Sequence, residues 1–212
     1  MALRAVVFDY GMVLSGPPDP QAYAELLRIA NLSAEEFEPL YWADRHDYDR
    51  GELTGMAFWH KLVADAGLSL SQDAIDELNA WDARMWTTEN AAMLAWHKQL
   101  KEHGIRTAIL SNMGDSVLVS IEKQFTWIHE FDHLIWSYQH NMAKPEAEIY
   151  RLVLDRLGVA AEETLFLDDR LVNIEAARAL GIVGLEFTDI QKLRRDLIAQ
   201  GLDAWLPLPA AN

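Results

Sequence analysis

The 212-residue sequence contains no cysteine, which excludes disulfides, thiolate metal sites and thiol nucleophiles. No segment approaches the roughly 20 apolar residues of a membrane span, and Arg4 and Asp9 interrupt the N-terminal apolar stretch, unlike a secretory signal. Basic residues are few: 18 Lys and Arg stand against 33 Asp and Glu, for a net charge of −15. This balance argues against nucleic acid or a membrane surface as the main partner. We expect a cytoplasmic protein.

Apolar residues make up 50% of the chain, enough for a packed core. Short apolar runs with strand character alternate with helical patterns in most of the chain, which predicts an α/β fold with a doubly wound parallel sheet. The predicted strands are 4–9, 107–110, 134–136, 164–168 and 182–187. The predicted helices between and after them are 90–103, 115–124, 145–157, 173–180 and 189–199.

One long segment after the first strand has no strand pattern. Between about 20 and 86, a helix is predicted at 21–30, and further helices are predicted to begin at Ser33, Thr54 and Ser71. This predicts an all-helical insertion. We therefore expect a core formed by residues 1–15 and 87–212, with residues 16–86 forming a helical cap.

Polar residues stand at the ends of the predicted strands or in the matching loop. Because ligands bind at the carboxyl ends of strands in open α/β sheets, these side chains are expected to meet at one rim. Carboxylates, a hydroxyl and an ammonium group at one rim suit an anionic substrate held with a divalent cation. These polar residues are Asp9, Ser111, Asn112, Lys144, Asp168 and Asp169.

Taken in order, these clusters resemble the four motifs of the haloacid dehalogenase superfamily of hydrolases, in the subfamily with a helical cap. The resemblance covers essentially the whole chain and implies a Rossmann-like core. It implies that Asp9 is the nucleophile, which forms an aspartyl-phosphate. Ser111 and the adjoining Asn112 would hold phosphate oxygens, and Lys144 would offset the charge of the nucleophile and the phosphoryl group.

The adjacent carboxylates Asp168 and Asp169 repel each other unless a cation lies nearby. Mg²⁺ suits them because it prefers oxygen ligands. The resemblance implies that Asp169 is the more direct ligand, with Asp168 close to it, and that Asp9 and the Gly11 carbonyl complete the protein ligands. Asn173 is expected to orient Lys144 or the acidic pair.

The sequence departs from the family pattern in its first motif. The usual phosphatase motif is D-x-D-G-T/V, whereas this chain has Asp9-Tyr10-Gly11-Met12-Val13. Gly11 replaces the general acid and base, a group typically worth about 10²–10⁴-fold in rate. Some sugar-phosphate phosphatases that the chain resembles also have Gly there. His46, Asp47 and His60 are the cap side chains considered as replacements.

These features predict a Mg²⁺-dependent phosphatase acting on a small phosphorylated metabolite, with sugar phosphates among the candidates. One alternative is a metal-free 2-haloacid dehalogenase, although such relatives have D-x-Y-G-T and do not need the acidic pair. Another is a non-catalytic or regulatory binding protein on the same fold. The sequence does not indicate the oligomeric state.

The aromatic residues of the predicted cap allow two interpretations. Phe58 and Trp59, with Leu62 and Val63, are expected to form an interhelical core. Tyr41-Trp42 is the pair considered for facing the cleft, where a ring could stack on substrate.

Overall fold

A five-stranded parallel sheet forms the centre of the fold. The computed structural model describes residues 2–210, and the strands lie in the order β3-β2-β1-β4-β5, the Rossmann order. Every residue of β1 is buried, as expected for a central strand covered on both faces. The predicted α/β, doubly wound fold is confirmed. The strands are β1 (Ala5–Phe8), β2 (Arg106–Ser111), β3 (His133–Trp136), β4 (Thr164–Asp168) and β5 (Val183–Glu186).

Five of the helices between β1 and β2 fall in the segment 16–86 that was predicted to be an all-helical insertion. Ser33, Thr54 and Ser71 each cap a helix by accepting a backbone N–H bond, which explains where these helices begin. The sequence patterns did not predict α3, because it is six residues long and almost entirely polar. The five helices are α1 (Pro20–Ala30), α2 (Ala34–Ala43), α3 (Arg45–Arg50), α4 (Gly55–Asp65) and α5 (Gln72–Met85).

The helices that follow cover the two faces of the sheet. Val6 and Phe8 of β1 face a cluster that includes α6, α7 and α10, whereas Ala5 and Val7 face a cluster with α8 and α9. This alternation follows from the two-residue period of a strand. The helices are α6 (Ala91–Glu102), α7 (Asp115–Gln124), α8 (Ala147–Leu157), α9 (Leu171–Ala179) and α10 (Ile190–Ala199).

The inserted helices have an apolar core of their own. Phe58, Trp59, Leu62 and Val63 are buried in it, as predicted. The division into a core and a cap at residues 15/16 and 86/87 stays a prediction, and residues 1, 211 and 212 of the predicted core lie outside the described part of the chain.

Polar contacts from α3 and α4 join the inserted helices to the sheet domain. Arg50 donates to the Glu146 carboxylate at 2.8 Å, and the Gly55 N–H donates to Asp115 at 2.9 Å. The Ser137 hydroxyl donates to the carbonyl of Asp49. Two of these residues belong to α3, so this short helix lies against the carboxyl edge of the sheet. Within residues 2–210, no helix combines the length and the apolarity that crossing a bilayer requires.

His97 gives the fold a predictable dependence on pH. Its ring is buried, stacks on Phe131 at 3.7 Å and contacts the Thr107 hydroxyl at 3.1 Å. Burial lowers the pKa of His97 from 6.5 to about 4. The unfolded chain therefore binds more protons between these two pH values, and stability falls as the pH falls through that range.

Between pH 7 and pH 4.5, the free energy of unfolding of the wild type should fall by about 2 kcal/mol more than that of His97→Gln. Urea unfolding of both proteins at the two pH values measures this difference. Equal losses in the two proteins would contradict the assignment of this pH dependence to His97.

Candidate active site

The residues predicted from the strand ends come together in the structure. Asp9 directly follows β1, Ser111 ends β2 and Asp168 ends β4, so all three lie at the carboxyl edge of the sheet. A cavity of about 810 Å³ opens above this edge. Its lining includes Asp9, Gly11, Ser111, Asn112, Lys144 and Asp169.

A buried lysine lies between two carboxylates in the floor of this cavity. Lys144 Nζ is 2.9 Å from Asp9 Oδ1 and 2.6 Å from Asp168 Oδ2. Asp168 is fully buried and also accepts bonds from Asn173 Nδ2 at 2.9 Å and from the Arg170 N–H at 2.8 Å. The oxygens of Asp168 are thus occupied by Lys144, the Arg170 N–H and Asn173. Of the groups that Asn173 was expected to orient, its side chain contacts Asp168.

Asn112 fixes the backbone of Lys144. Its Nδ2 donates to the Lys144 carbonyl and its Oδ1 accepts from the Lys144 N–H, both at 2.8 Å. This pairing locks the lysine in place across two loops. Ser111 is almost completely buried and lines the cavity beside Asn112.

The charges of the site do not balance among the described residues. Asp9, Asp168 and Asp169 each place one carboxylate oxygen within 4.8 Å of the others, and Lys144 supplies a single positive charge. Burial raises the pKa of Asp9 to about 7, because the attraction of Lys144 offsets only part of the desolvation. Burial and the Asp168 carboxylate also raise the pKa of Asp169.

A divalent cation fits this donor set. Within residues 2–210, Asp169 has no ion pair, and it lines the cavity, whereas Asp168 lies behind it. Carboxylate oxygens this close together are ligands that Mg²⁺ accepts, and a +2 ion offsets the two uncompensated negative charges.

Backbone hydrogen bonds hold Asp9 at the end of β1. The Asp9 N–H donates to the Leu167 carbonyl at 2.8 Å, and Asp9 Oδ1 accepts from the Tyr10 N–H at 2.7 Å. A Cβ atom added at Gly11 would meet no other atom within 4 Å. Steric crowding therefore does not explain why Gly replaces the usual acid at this position.

The helical segment contributes a second wall to the cavity. His46 and Trp42 line it, whereas Asp47 and His60 do not. Tyr41 is buried instead and donates to Asp82 at 2.7 Å. Of the cap residues considered from the sequence, only His46 and Trp42 therefore reach this cavity.

Besides Trp86, two charged cap residues line the cavity and were missed by sequence reasoning. Arg45 and Asp49 line it and form an ion pair, with Arg45 Nε 3.0 Å from Asp49 Oδ1. Arg45 also contacts Asp82 at 3.1 Å. Both lining residues belong to α3, which has no apolar periodicity, so no sequence signal for them was available beyond their charge.

Comparison with known proteins identifies the family. The model of the haloacid dehalogenase-like hydrolases matches residues 3–181. The chain belongs to this family of hydrolases. The match covers the loop of Asp9, the ends of β2 and β4, and the whole helical insertion.

Two relatives and one solved structure illustrate the likeness. The hydrolase is 28% identical to the sesquiterpene phosphatase astK of Aspergillus oryzae, over 88% of this chain and 90% of that protein. It is 34% identical to mouse bifunctional epoxide hydrolase 2, over 99% of this chain but 41% of that protein. The HAD family enzyme bt-2542 from Bacteroides thetaiotaomicron, in complex with magnesium and inorganic phosphate, shares the fold with a TM-score of 0.71 and 24% identity. That alignment covers 87% of this chain and 93% of bt-2542.

Proposed function

We propose that this hydrolase is a Mg²⁺-dependent phosphatase that acts on a small phosphomonoester through an aspartyl-phosphate on Asp9. The observation that carries the proposal is the contact of Lys144 with Asp9 and Asp168, with Asp169 beside them at the cavity. The phosphatase name of astK and the magnesium and phosphate in the bt-2542 complex support the same chemistry.

In the proposed reaction, a carboxylate oxygen of Asp9 attacks phosphorus, the bond from phosphorus to the ester oxygen breaks, and the leaving oxygen takes a proton from water. Lys144 and Ser111 stabilise the phosphoryl oxygens by charge and hydrogen bonding, and Asn112 keeps Lys144 in position. Water then attacks phosphorus and releases phosphate from Asp9. Because Lys144 is buried, its charge acts in an environment with little solvent screening.

Mg²⁺ would be held by Asp9, Asp169 and the Gly11 carbonyl, with Asp168 adjacent. When bound, it supplies positive charge to the phosphoryl oxygens and to the Asp9 carboxylate. Asp168 has a different role in this proposal, since Lys144, Asn173 and the Arg170 N–H already occupy its oxygens.

A phosphatase accounts for the site better than the two alternatives do. A metal-free dehalogenase gives no reason for three carboxylates close to a single lysine. A non-catalytic binding protein gives no reason for a buried Asp9–Lys144 pair at a cavity. The proposed partner is a small phosphorylated metabolite, and a cytoplasmic location stays a prediction.

The proposal is tested by assaying phosphomonoesters and 2-haloacids with and without Mg²⁺. Asp9→Asn should lower the kcat for phosphomonoesters about 10³-fold or more, because the nucleophile is lost. Asp169→Asn should raise the Mg²⁺ concentration needed for half-maximal activity by about tenfold or more. Released phosphate is the measured quantity.

Asp203→Asn is the matched control, since Asp203 is an exposed aspartate that does not line the cavity. This variant should leave unchanged both the kcat for phosphomonoesters and the Mg²⁺ concentration needed for half-maximal activity. Full activity of Asp9→Asn, or metal-independent release of halide by the wild type, would contradict the proposed function.

A substitution at Gly11 can restore the general acid and base that the family pattern has at this position. Because a side chain at this position meets open space, Gly11→Asp should raise the kcat for alkyl phosphates, whose leaving groups need a proton, by about tenfold or more. The rate with p-nitrophenyl phosphate should change much less. Gly11→Ala serves as the control, and equal effects of both variants on alkyl phosphates would contradict this explanation.

A further inference from the structure

Exposed apolar side chains are concentrated at the active-site cavity. In the described part of the chain, seven large hydrophobic residues are exposed. Met12, Trp42 and Val172 line the cavity, and Leu171 precedes Val172 in the chain. The other three, which do not line it, are Val119, Ile198 and Trp205. Exposed apolar surface gathered at one opening is typical of a binding site for an apolar group.

Apolar surface continues from this opening to the phosphate site. Trp86, Met113 and Val117 also line the cavity, and Tyr10 lies beside Asp9. The Tyr10 hydroxyl donates to the Trp86 carbonyl at 2.8 Å, so the polar group of this buried ring is already paired. An apolar surface therefore begins at the nucleophile and extends outward.

The cavity has few unpaired polar side chains for a polyhydroxylated substrate. Arg45 and Asp49 bind each other, and Arg45 also contacts Asp82. Outside the phosphate site, four lining side chains make no hydrogen bond within residues 2–210: His46, Arg170 and, through their indole N–H groups, Trp42 and Trp86. A sugar bound here would find partners for its hydroxyls mainly at these four side chains, because the rest of the lining outside the phosphate site is apolar or already paired.

Local structure places Met12 and Trp42 at the cavity. Met12 lines it and has a φ of 58°, a conformation uncommon for residues other than glycine. Trp42 packs edge-on against Tyr41 at 5.0 Å, and Asp82 fixes Tyr41 by a hydrogen bond. The exposed Trp42 ring is thereby supported on one side and free toward the cavity.

We propose that the substrate is the monophosphate of an apolar alcohol, with an alkyl or alkenyl body bound along this surface and the phosphate at Asp9 and Lys144. This inference rests on the proposed function and narrows it, in place of the sugar phosphates considered from the sequence. A cavity of about 810 Å³ is within the usual range for small-molecule sites and leaves room beyond the phosphate for such a body. The body contacts Met12, Trp42, Trp86, Met113, Val117 and Val172.

The test compares n-alkyl monophosphates of two to eight carbons with glucose 6-phosphate, using the full-length protein with Mg²⁺. The kcat/KM should rise about two- to fourfold for each added methylene until the cavity is filled, because each methylene leaves water. Octyl phosphate should exceed glucose 6-phosphate by more than 100-fold. A flat series, or a higher kcat/KM for glucose 6-phosphate, would overturn the inference.

The chain offers matched controls for the surface itself. Trp42 and Trp205 are 57% and 50% exposed, and Val172 and Val119 are 48% and 47% exposed, but only the first of each pair lines the cavity. Trp42→Ala and Val172→Asn should each lower the kcat/KM for octyl phosphate about tenfold, and lower that for ethyl phosphate much less. Trp205→Ala and Val119→Asn should leave both values unchanged. Equal effects within each pair would contradict the assignment.

Binding of alkyl phosphonates, which are not hydrolysed, separates this inference from the proposed activity. Calorimetry with ethyl and octyl phosphonate should show tighter binding of the octyl compound, and Trp42→Ala should reduce this preference. Chain-length-dependent binding without turnover of any ester would refute the phosphatase but retain the apolar surface. Turnover without chain-length dependence in either assay would retain the phosphatase and refute the apolar substrate.

Discussion

Two ion pairs of one buried lysine organise the candidate active site. Lys144 contacts both Asp9 and Asp168, and it is almost completely inaccessible to solvent. A buried charge is costly unless it is paired and hydrogen-bonded, so losing either partner would leave an uncompensated charge in the interior. This requirement explains why Asn112 binds the lysine backbone and why Asn173 binds Asp168.

The charges of Lys144 and the three neighbouring carboxylates determine which ligands the site can bind. Three carboxylates and one ammonium group leave a negative site, which would repel a phosphate ester in a protein that already has a net charge of −15. A bound divalent cation brings the charge of these four groups near zero and makes an anionic substrate acceptable. An acidic protein can therefore bind a phosphorylated substrate here only if a cation offsets the negative charge of these carboxylates.

Much of the fold and part of the site could be predicted from the sequence because they follow from simple patterns. Buried strands such as β1 and β4 are continuous apolar runs that stop at Asp9 and Asp168, so the rim of polar residues could be located without coordinates. The adjacent pair Asp168-Asp169 could also be identified from the sequence as a candidate metal site. Which of the two faces the cavity depends on Lys144 and Asn173, which are distant in sequence, and the pattern does not contain that information.

The wall contributed by the inserted helices was the least predictable part. Helix α3 has six mostly polar residues, and the contacts of Asp49 and Arg50 with the sheet domain hold it at the cavity. Tyr41 and Trp42 are neighbours on α2, yet one is buried against Asp82 and the other is exposed at the cavity. Such differences are set by tertiary packing and not by residue type.

The most direct measurement of the central claim is a crystal structure of the protein soaked with Mn²⁺ as a substitute for Mg²⁺, with the metal located by anomalous scattering. The account predicts one ion per chain, about 2.1 Å from carboxylate oxygens of Asp9 and Asp169 and from the Gly11 carbonyl, with Lys144 still paired to Asp168. An ion bound elsewhere, or a fully occupied substrate phosphate site with no metal beside these carboxylates, would contradict it.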